Sequence, residues 1–156
     1  MRELKFRAWD KITKQIAPVK IIEWITGVPC SIYLTLTDKV TGHACMVERT
    51  DQSAALMQFT GLKDEKDKDI YEGDILAEWC DEGWYRHGVV TYMSDHAKYY
   101  LTEPPELKYG SDSEYCYDGD EWSKLEIVGN IHQHPHLTEP IPEPREELLS
   151  QQPLPQ

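Results

Sequence analysis

The sequence predicts a mainly β fold with very little helix. Apolar and polar residues alternate in several short runs, and glycine or proline separates these runs. Almost no stretch shows the 3.6-residue periodicity of an amphipathic helix. The 156-residue length suits one compact domain with a small subdomain, which is large enough to fold without disulfides or metals.

The first predicted strand lies at the start of the chain. Leu4, Phe6 and Ala8 would lie on one face, and the two basic residues between them would lie on the other. This alternation is the period of a half-buried strand. Residues 9–14 are polar and predict a turn.

Three further strands are predicted in the first third of the chain. Residues 16–25 form a β-branched run, which Pro18 interrupts. Because proline cannot donate to a ladder, it favours a sheet edge or a bulge. After a Gly-Val-Pro break, residues 30–37 alternate again, and residues 38–42 predict a hairpin connection to a short strand at 45–48.

The central segment is less regular. Residues 51–56 predict a turn or a single helical turn, with Asp51 as its N-cap. The β pattern then returns in four runs, the first two separated by a charged, glycine-bearing loop: residues 75–79, 88–93, 98–101 and 125–131.

Two segments lack strand patterns. Residues 94–124 predict a long acidic loop, because from position 103 they are rich in Pro, Gly, Ser, Asp and Tyr. Residues 136–156 are rich in Pro, Glu and Gln and predict a disordered tail.

Three short motifs in sequence order resemble the YopX family of phage and prophage proteins. They are residues 5–10, the pair of segments 56–64 and 69–76, and residues 127–131. The resemblance implies an N-terminal mixed β subdomain at 1–60 and an SH3-like small β-barrel at 61–135. It implies no activity, because the family carries no assigned biochemical role.

The resemblance also selects candidate surface residues for a ligand or partner. They are Trp9, Asp10, Thr60, Gly61, Asp64, Tyr71, Gly73, Asp74 and Asn130. The alternative is that these residues end strands and shape turns. Several of them are carboxylates, but no His or Cys in the same motifs forms a nucleophile–base pair, so no catalytic residue is assigned.

The charge distribution favours a protein partner. Residues 1–50 carry 8 Lys/Arg against 5 Asp/Glu, a net of +3, and residues 51–156 carry 8 against 23, a net of −15. So negative a field repels phosphate backbones, which makes duplex nucleic acid a poor partner. In the simplest interpretation, the net negative charge only keeps the protein soluble.

A basic face at the N-terminus is the exception to this acidity. Trp9 stands among basic residues, a combination suited to single-stranded nucleic acid. The case for a nucleic-acid site is weak, because only five basic residues stand against a strongly acidic remainder of the chain. They are Lys5, Arg7, Lys11, Lys14 and Lys20.

The sequence predicts a cytoplasmic protein without cofactors. None of the four cysteines has C-x-x-C spacing, and the first ten residues lack the apolar stretch of a signal peptide. Reduced thiols are then the expectation. No apolar run approaches the length of a membrane span.

Two clusters are weak candidates for a metal site. His132, His134 and His136 alternate at the end of the last predicted strand, where the family pattern Asn-Ile-Tyr-Glu-Asn-Pro is lost at positions 132–134. An acidic group near Trp122 lacks the full spacing of a calcium loop: Asp112, Glu114, Asp118, Asp120 and Glu121.

These observations favour a non-catalytic protein-interaction module encoded by a phage or prophage, with a host or phage protein as its partner. One alternative is an acidic nucleic-acid mimic that binds a host DNA-binding protein through the carboxylates of residues 103–126. Another is a small metal-dependent enzyme that uses the His-rich end. Exposed strand edges and aromatic-rich surfaces are also compatible with a homo-oligomer.

Overall fold

The computed structural model describes residues 3–80, 83–102 and 119–138. Strands account for most of these residues, and antiparallel pairing joins them throughout. They are β1 (Phe6–Asp10), β2 (Gln15–Ile25), β3 (Val28–Thr37), β4 (Ala44–Arg49), β5 (Ala54–Lys63), β6 (Asp69–Tyr71), β7 (Asp74–Cys80), β8 (Gly83–Met93), β9 (Lys98–Thr102) and β10 (Glu126–Asn130).

The strands form two sheets, so the predicted mainly β class is confirmed. The first sheet has the order β4-β3-β2-β1-β5-β6, and the second has the order β10-β7-β8-β9. Helix in the described residues is limited to α1 (Gly119–Trp122) and one 3-10 turn (Pro135–Thr138).

The first sheet rolls up on itself. Strands β4 and β5 are joined by only four residues, 50–53, although three strands lie between them in the sheet. Arg49 on β4 also reaches Asp10 on β1, with 2.9 Å between Nε and Oδ1. A flat sheet would separate these two strands by about 14 Å, so the sheet must curve strongly.

The concave side of the rolled sheet holds the first hydrophobic core. Its members come from β1, β2, β3 and β5 and are all at most 5% exposed: Ala8, Ala17, Ile32, Leu34, Leu36 and Ala54. Small alanines stand where β1, β2 and β5 lie side by side, and the larger residues of β3 fill the remaining space.

The second sheet has its own core. Leu76, Val90 and Leu101 contribute from three neighbouring strands, and Trp122 of α1 and the adjacent Leu125 complete the cluster together with Ile70 of β6. A third cluster contains Trp9, Met57, Phe59 and Tyr71. These residues lie on β1, β5 and β6, and none of them is a member of the first core.

Neither sheet closes into a hydrogen-bonded barrel within the described ranges. The first sheet ends at β4 and β6, and the second ends at β10 and β9. The boundary predicted between residues 60 and 61 lies inside β5, and the division into subdomains stays a prediction.

Three predicted elements differ from the structure. β1 continues through Trp9 and Asp10, the first two residues of the predicted 9–14 turn, and β5 begins at Ala54 inside the predicted helical turn. Both differences have one cause, because Asp10 pairs with Ala54 across the β1–β5 ladder. Such a long-range contact overrides local preference. β8 begins at Gly83, so most of the predicted 80–87 loop is strand.

The acidic loop and the tail are only partly described. β9 lies within the predicted 94–124 loop, whereas residues 103–118 fall outside the described ranges. The predicted tail at 136–156 starts within the 3-10 turn, and its residues 139–156 also fall outside them. No helix in the described part of the chain has the length and apolar character needed to cross a membrane.

Candidate functional site

Four of the nine family-motif residues meet where the two sheets join, with Asp74 at the centre: Tyr71, Gly73, Asp74 and Asn130. Its side chain is 1% exposed at the start of β7. One carboxylate oxygen accepts hydrogen bonds from the Arg7 guanidinium and from Asn130 Nδ2, the latter at 3.2 Å. The other oxygen accepts from the Tyr71 backbone N–H at 2.9 Å. One carboxylate therefore connects β1, β6 and β10.

Arg7 completes this contact group, which we call the junction: Arg7, Tyr71, Asp74 and Asn130. Its guanidinium carbon lies 4.4 Å from the centre of the Tyr71 ring, a cation–π arrangement. Burial raises the pKa of Asp74, while Arg7, the Tyr71 N–H and Asn130 act in the opposite direction. Because its hydrogen-bonding capacity is used by protein groups, the carboxylate is placed to hold the sheets together.

Gly73 is required by the same turn. Its φ of +78° lies in the left-handed region that glycine tolerates. Its N–H donates to Val90 O at 2.8 Å, and its carbonyl accepts from the Ile131 N–H at 2.9 Å. A Cβ atom would stand 3.3 Å from Ile131 Cγ1, so both strain and crowding oppose a side chain here.

Asn130 and Trp9 hold the segment after β10. The Asn130 side-chain oxygen accepts the His132 N–H at 3.0 Å, and the His132 ring stacks on Trp9 with centroids 6.0 Å apart and planes 8° apart. Burial lowers the pKa of His132, and the nearby charges of Lys11 and Arg7 add to this effect. An imidazole stacked on an indole is a structural contact.

Asp10 closes the turn between β1 and β2. It is fully buried and accepts from Arg49 Nε and Nη2 at 2.9 and 3.1 Å, from Thr13 Oγ1 at 2.7 Å and from the Ile12 N–H at 3.2 Å. Burial alone would raise the pKa of this carboxyl. The Arg49, Thr13 and Ile12 hydrogen bonds outweigh it and lower the pKa to about 2.

Asp64 and Thr60 organise the connection from β5 to β6. The Asp64 carboxylate accepts the N–H groups of Lys66 and Lys68 at 2.9 Å and that of Ile127 on β10 at 3.2 Å. Thr60 Oγ1 donates to Ile70 O at 2.9 Å. Gly61 adopts a φ of +91° between them. This part of the motif therefore fixes a hairpin and its contact with the second sheet.

The three C-terminal histidines do not form a common ligand set. His132 stacks on Trp9, and His134 Nδ1 accepts the Asn130 N–H at 3.3 Å. The rings of His134 and His136 meet edge to face. Among the described residues, no group of three or more His, Cys, Asp or Glu side chains could hold a metal ion.

The remaining sequence candidates are dispersed or lie outside the described ranges. Lys5 pairs with Asp69 and Arg7 pairs with Asp74, so two charges of the predicted basic face are compensated. Lys11 Nζ donates to a backbone carbonyl, that of Gln52. Of the acidic group, Asp112, Glu114 and Asp118 fall in the undescribed 103–118 segment.

A second candidate surface lies on the β2–β3 hairpin. Pairing of β1 with β2 ends at Pro18, but β2 continues with β3 to Ile25 and Val28. We call residues 19–31, which extend past β1, the arm. It exposes four large apolar side chains by 48–63%: Ile21, Trp24, Ile25 and Val28.

A cleft of about 690 Å³ opens beside the arm. One wall is the N-terminal segment from Glu3 to Arg7, and the other is β2 from Ile16 to Trp24, with Tyr71 also contributing. The cleft exists because the N-terminal segment pairs with β2 only as far as Pro18. Beyond that pair, the Lys5 carbonyl accepts the Phe59 N–H of β5 and makes no ladder bond with β2. The free edge of β2 therefore faces an apolar and partly basic groove.

The arm was missed by the sequence reasoning, although a signal was present. Residues 15–37 contain only two charged side chains, Lys20 and Glu23, in a chain that is 28% charged. Charge depletion is the compositional mark of an interface core. The alternation of these strands was identified, but their unusual neutrality was not.

Taken together, these features define a two-sheet β protein whose motif residues join the sheets and whose exposed apolar surface lies on a protruding hairpin. Residues 5–139 match the family described as YopX protein. The chain belongs to the YopX family.

A solved structure shares this fold. The crystal structure of protein EF1440 from Enterococcus faecalis superposes with a TM-score of 0.62 at 22% identity, over 89% of this chain and 100% of that one. No curated protein matches the chain.

Proposed function

We propose that this protein is a non-catalytic protein-interaction module and that the arm and its cleft are its binding surface. The observation that carries the proposal is the exposure of Trp24, Ile25 and Val28 at the tip of the arm, beside an open cleft. Large exposed apolar side chains concentrated in one short segment mark an interaction site.

The contrast with the junction supports a binding role rather than catalysis. The buried carboxylates of Asp10, Asp64 and Asp74 accept hydrogen bonds from protein donors. A general acid or base needs access to a substrate. The accessible chemistry of the arm and its cleft is mainly apolar contact, which suits a protein partner.

Origin and location complete the proposal. The YopX resemblance supports a phage- or prophage-encoded protein that acts in the bacterial cytoplasm. The second sheet, which enters β7 through the Gly73–Asp74 step, is proposed to be a variant of an SH3-like small barrel.

The test is affinity capture from a bacterial lysate with three full-length baits: the unmodified chain, Trp24→Ser and Val40→Ser. Val40 is 93% exposed at the opposite end of β3, so it is a matched exposed apolar control. We expect the unmodified chain and the Val40 variant to retain the same proteins, and the Trp24 variant to lose them.

Two results would contradict the proposal. Equal capture by all three baits would place the binding surface elsewhere. Capture of a basic protein that is released by moderate salt, regardless of Trp24, would favour the acidic mimic, because such binding is electrostatic.

A further inference from the structure

We infer that the partner of the arm is a second copy of this chain, with the arm tip of each copy inserted into the cleft of the other. This inference rests on the proposed function, since it names the occupant of the same surface. It is supported by the neutrality of the arm, the order of its two charges, the position of the cleft and the area available.

The neutrality of the arm allows two acidic chains to approach. Each chain carries a net charge of −12, which opposes association in general. Residues 15–37 carry one positive and one negative side chain and are therefore neutral. At physiological salt, charges more than about 8 Å away are largely screened, so the local neutrality of the arm decides the contact.

The order of the two charges is self-complementary. Lys20 and Glu23 flank Ile21 and Ile22 on the free part of β2. An antiparallel two-fold pairing of two β2 strands centred on Ile22 places Glu23 of the second copy opposite Ile21 of the first. It then lies one position from Lys20, the residue that the register shift between Val19 and Ile21 adds to β2. The symmetry repeats this arrangement, so each Lys20 has a carboxylate one position away along the partner strand, and no like charges stand opposite each other.

The same pairing directs each arm tip into a cleft. Because the strands run in opposite directions, Trp24 and Ile25 of the second copy arrive next to Lys20 and Val19 of the first. This position is where the N-terminal segment leaves β2 and the cleft opens. A volume of about 690 Å³ has room for several side chains.

The arm supplies part of the area that a stable contact needs, and the cleft supplies the rest. The four exposed apolar side chains of the arm offer roughly 450 Å² per copy, within the range of the largest patches on monomeric proteins. Leu4, which is 73% exposed at the cleft rim, and the cleft walls enlarge this area. A standard interface buries about 800 Å² per partner, so contact with the cleft walls has to contribute nearly half of the area.

The local irregularities of β2 favour a closed dimer over open-ended assembly. Its register with β3 shifts between Val19 and Ile21 and again between Glu23 and Trp24, and Pro18 precedes the first shift. Beyond Pro18, the longest stretch of β2 in regular register runs from Ile21 to Glu23. Bulges and proline protect an edge against extended pairing, so a short pairing completed by tip-in-cleft packing is the expected arrangement.

The test is sedimentation equilibrium of the full chain at protein concentrations from about 1 to 100 µM, a range that resolves micromolar dissociation constants. We expect the unmodified 18.1 kDa chain to sediment as a dimer. Trp24→Ser should weaken the dimer by about tenfold or more, because an interface-core aromatic is lost. Val40→Ser and Lys39→Glu, at the far end of β3, should leave it unchanged.

A charge exchange tests the two-fold pairing itself. Lys20→Glu and Glu23→Lys should each weaken self-association, because each places like charges next to each other. An equimolar mixture of these two variants should form a heterodimer more readily than either forms a homodimer. Misfolding of a variant cannot produce that recovery.

The outcomes separate this inference from the proposed function. A monomeric unmodified chain across the whole range overturns the inference, while Trp24-dependent lysate capture would still support an interaction module. A dimer that withstands Trp24→Ser and shows no recovery on mixing also overturns it, because the contact then lies elsewhere.

Discussion

The junction and the arm are both built from β-strands with aromatic and charged side chains, yet they differ in what surrounds those side chains. At the junction, the carboxylate of Asp74 and the ring of Tyr71 are more than 90% buried and contact groups from four strands. On the arm, Trp24 and Ile25 are more than half exposed and extend past the neighbouring strand.

The two regions contain separate sets of residues. One set carries the family resemblance, and the other is available to a partner. The motif carboxylates are occupied by protein donors and maintain the fold. The arm contributes little to the core, because β1 begins only at Phe6 and β2 extends past it beyond Pro18. Substitutions in the two regions should therefore affect different measurements.

The largest effect is expected at the junction. Asp74→Ala should lower the free energy of unfolding by about 3 kcal/mol, because it leaves the largely buried Arg7 guanidinium without its carboxylate. Urea denaturation measures this change. Asp67→Asn is the control, since the side chain of Asp67 is 85% exposed and asparagine tolerates its φ of +62°, so the change should cost less than about 0.5 kcal/mol.

A double variant sharpens the interpretation. Arg7→Met combined with Asp74→Ala should cost less than the sum of the two single changes, because the two residues act as a pair. Strict additivity would show that the junction does not depend on this ion pair.

The next effect is the pH dependence contributed by Asp10. Its pKa is about 2 in the folded protein and near 3.8 when unfolded, so its stabilisation is present above pH 4 and is lost as the pH falls toward 2. The shift corresponds to about 2 kcal/mol. Urea denaturation at pH 6 and pH 2.5 should show a smaller decrease in stability for Arg49→Gln than for the unmodified chain. An equal decrease would exclude the Asp10–Arg49 pair as its source.

The smallest effect is expected on the arm. At concentrations that keep chains apart, Trp24→Ser should change the free energy of unfolding by less than about 0.5 kcal/mol, because the side chain is already largely in water. Thermal unfolding of dilute protein measures it. A loss of 2 kcal/mol or more would place Trp24 in the core of the single chain and end the contrast between the two regions.

Local pattern in the sequence located most strands. The alternation of Leu4, Phe6 and Ala8 and that of residues 30–37 correspond to β1 and β3, and the Pro18 signal corresponds to the last β1–β2 pair. The special positions of Gly61, inside β5, and Gly73, in the turn before β7, also follow from sequence, since their positive φ values reflect a constraint on single residues.

The sequence predictions failed where contacts between distant segments of the chain determine the local structure. Residues 54–56 have local helical character, but they pair with β1, which is more than forty positions away in the chain. The alternating histidines suggested a shared ligand, but Trp9 and Asn130 each capture a different ring. Neither contact is encoded in the local pattern.

The sequence by itself determined the β class, the family, the acidic charge and the neutrality of residues 15–37, because each is a property of composition or of short-range order. Only the tertiary structure decided that Asp10, Asp64 and Asp74 are buried while Trp24 and Ile25 are exposed. The physical reason is that burial depends on which strands become neighbours. Rolling of the first sheet brings Arg49 to Asp10, and the early divergence of the N-terminal segment leaves the arm and its cleft open.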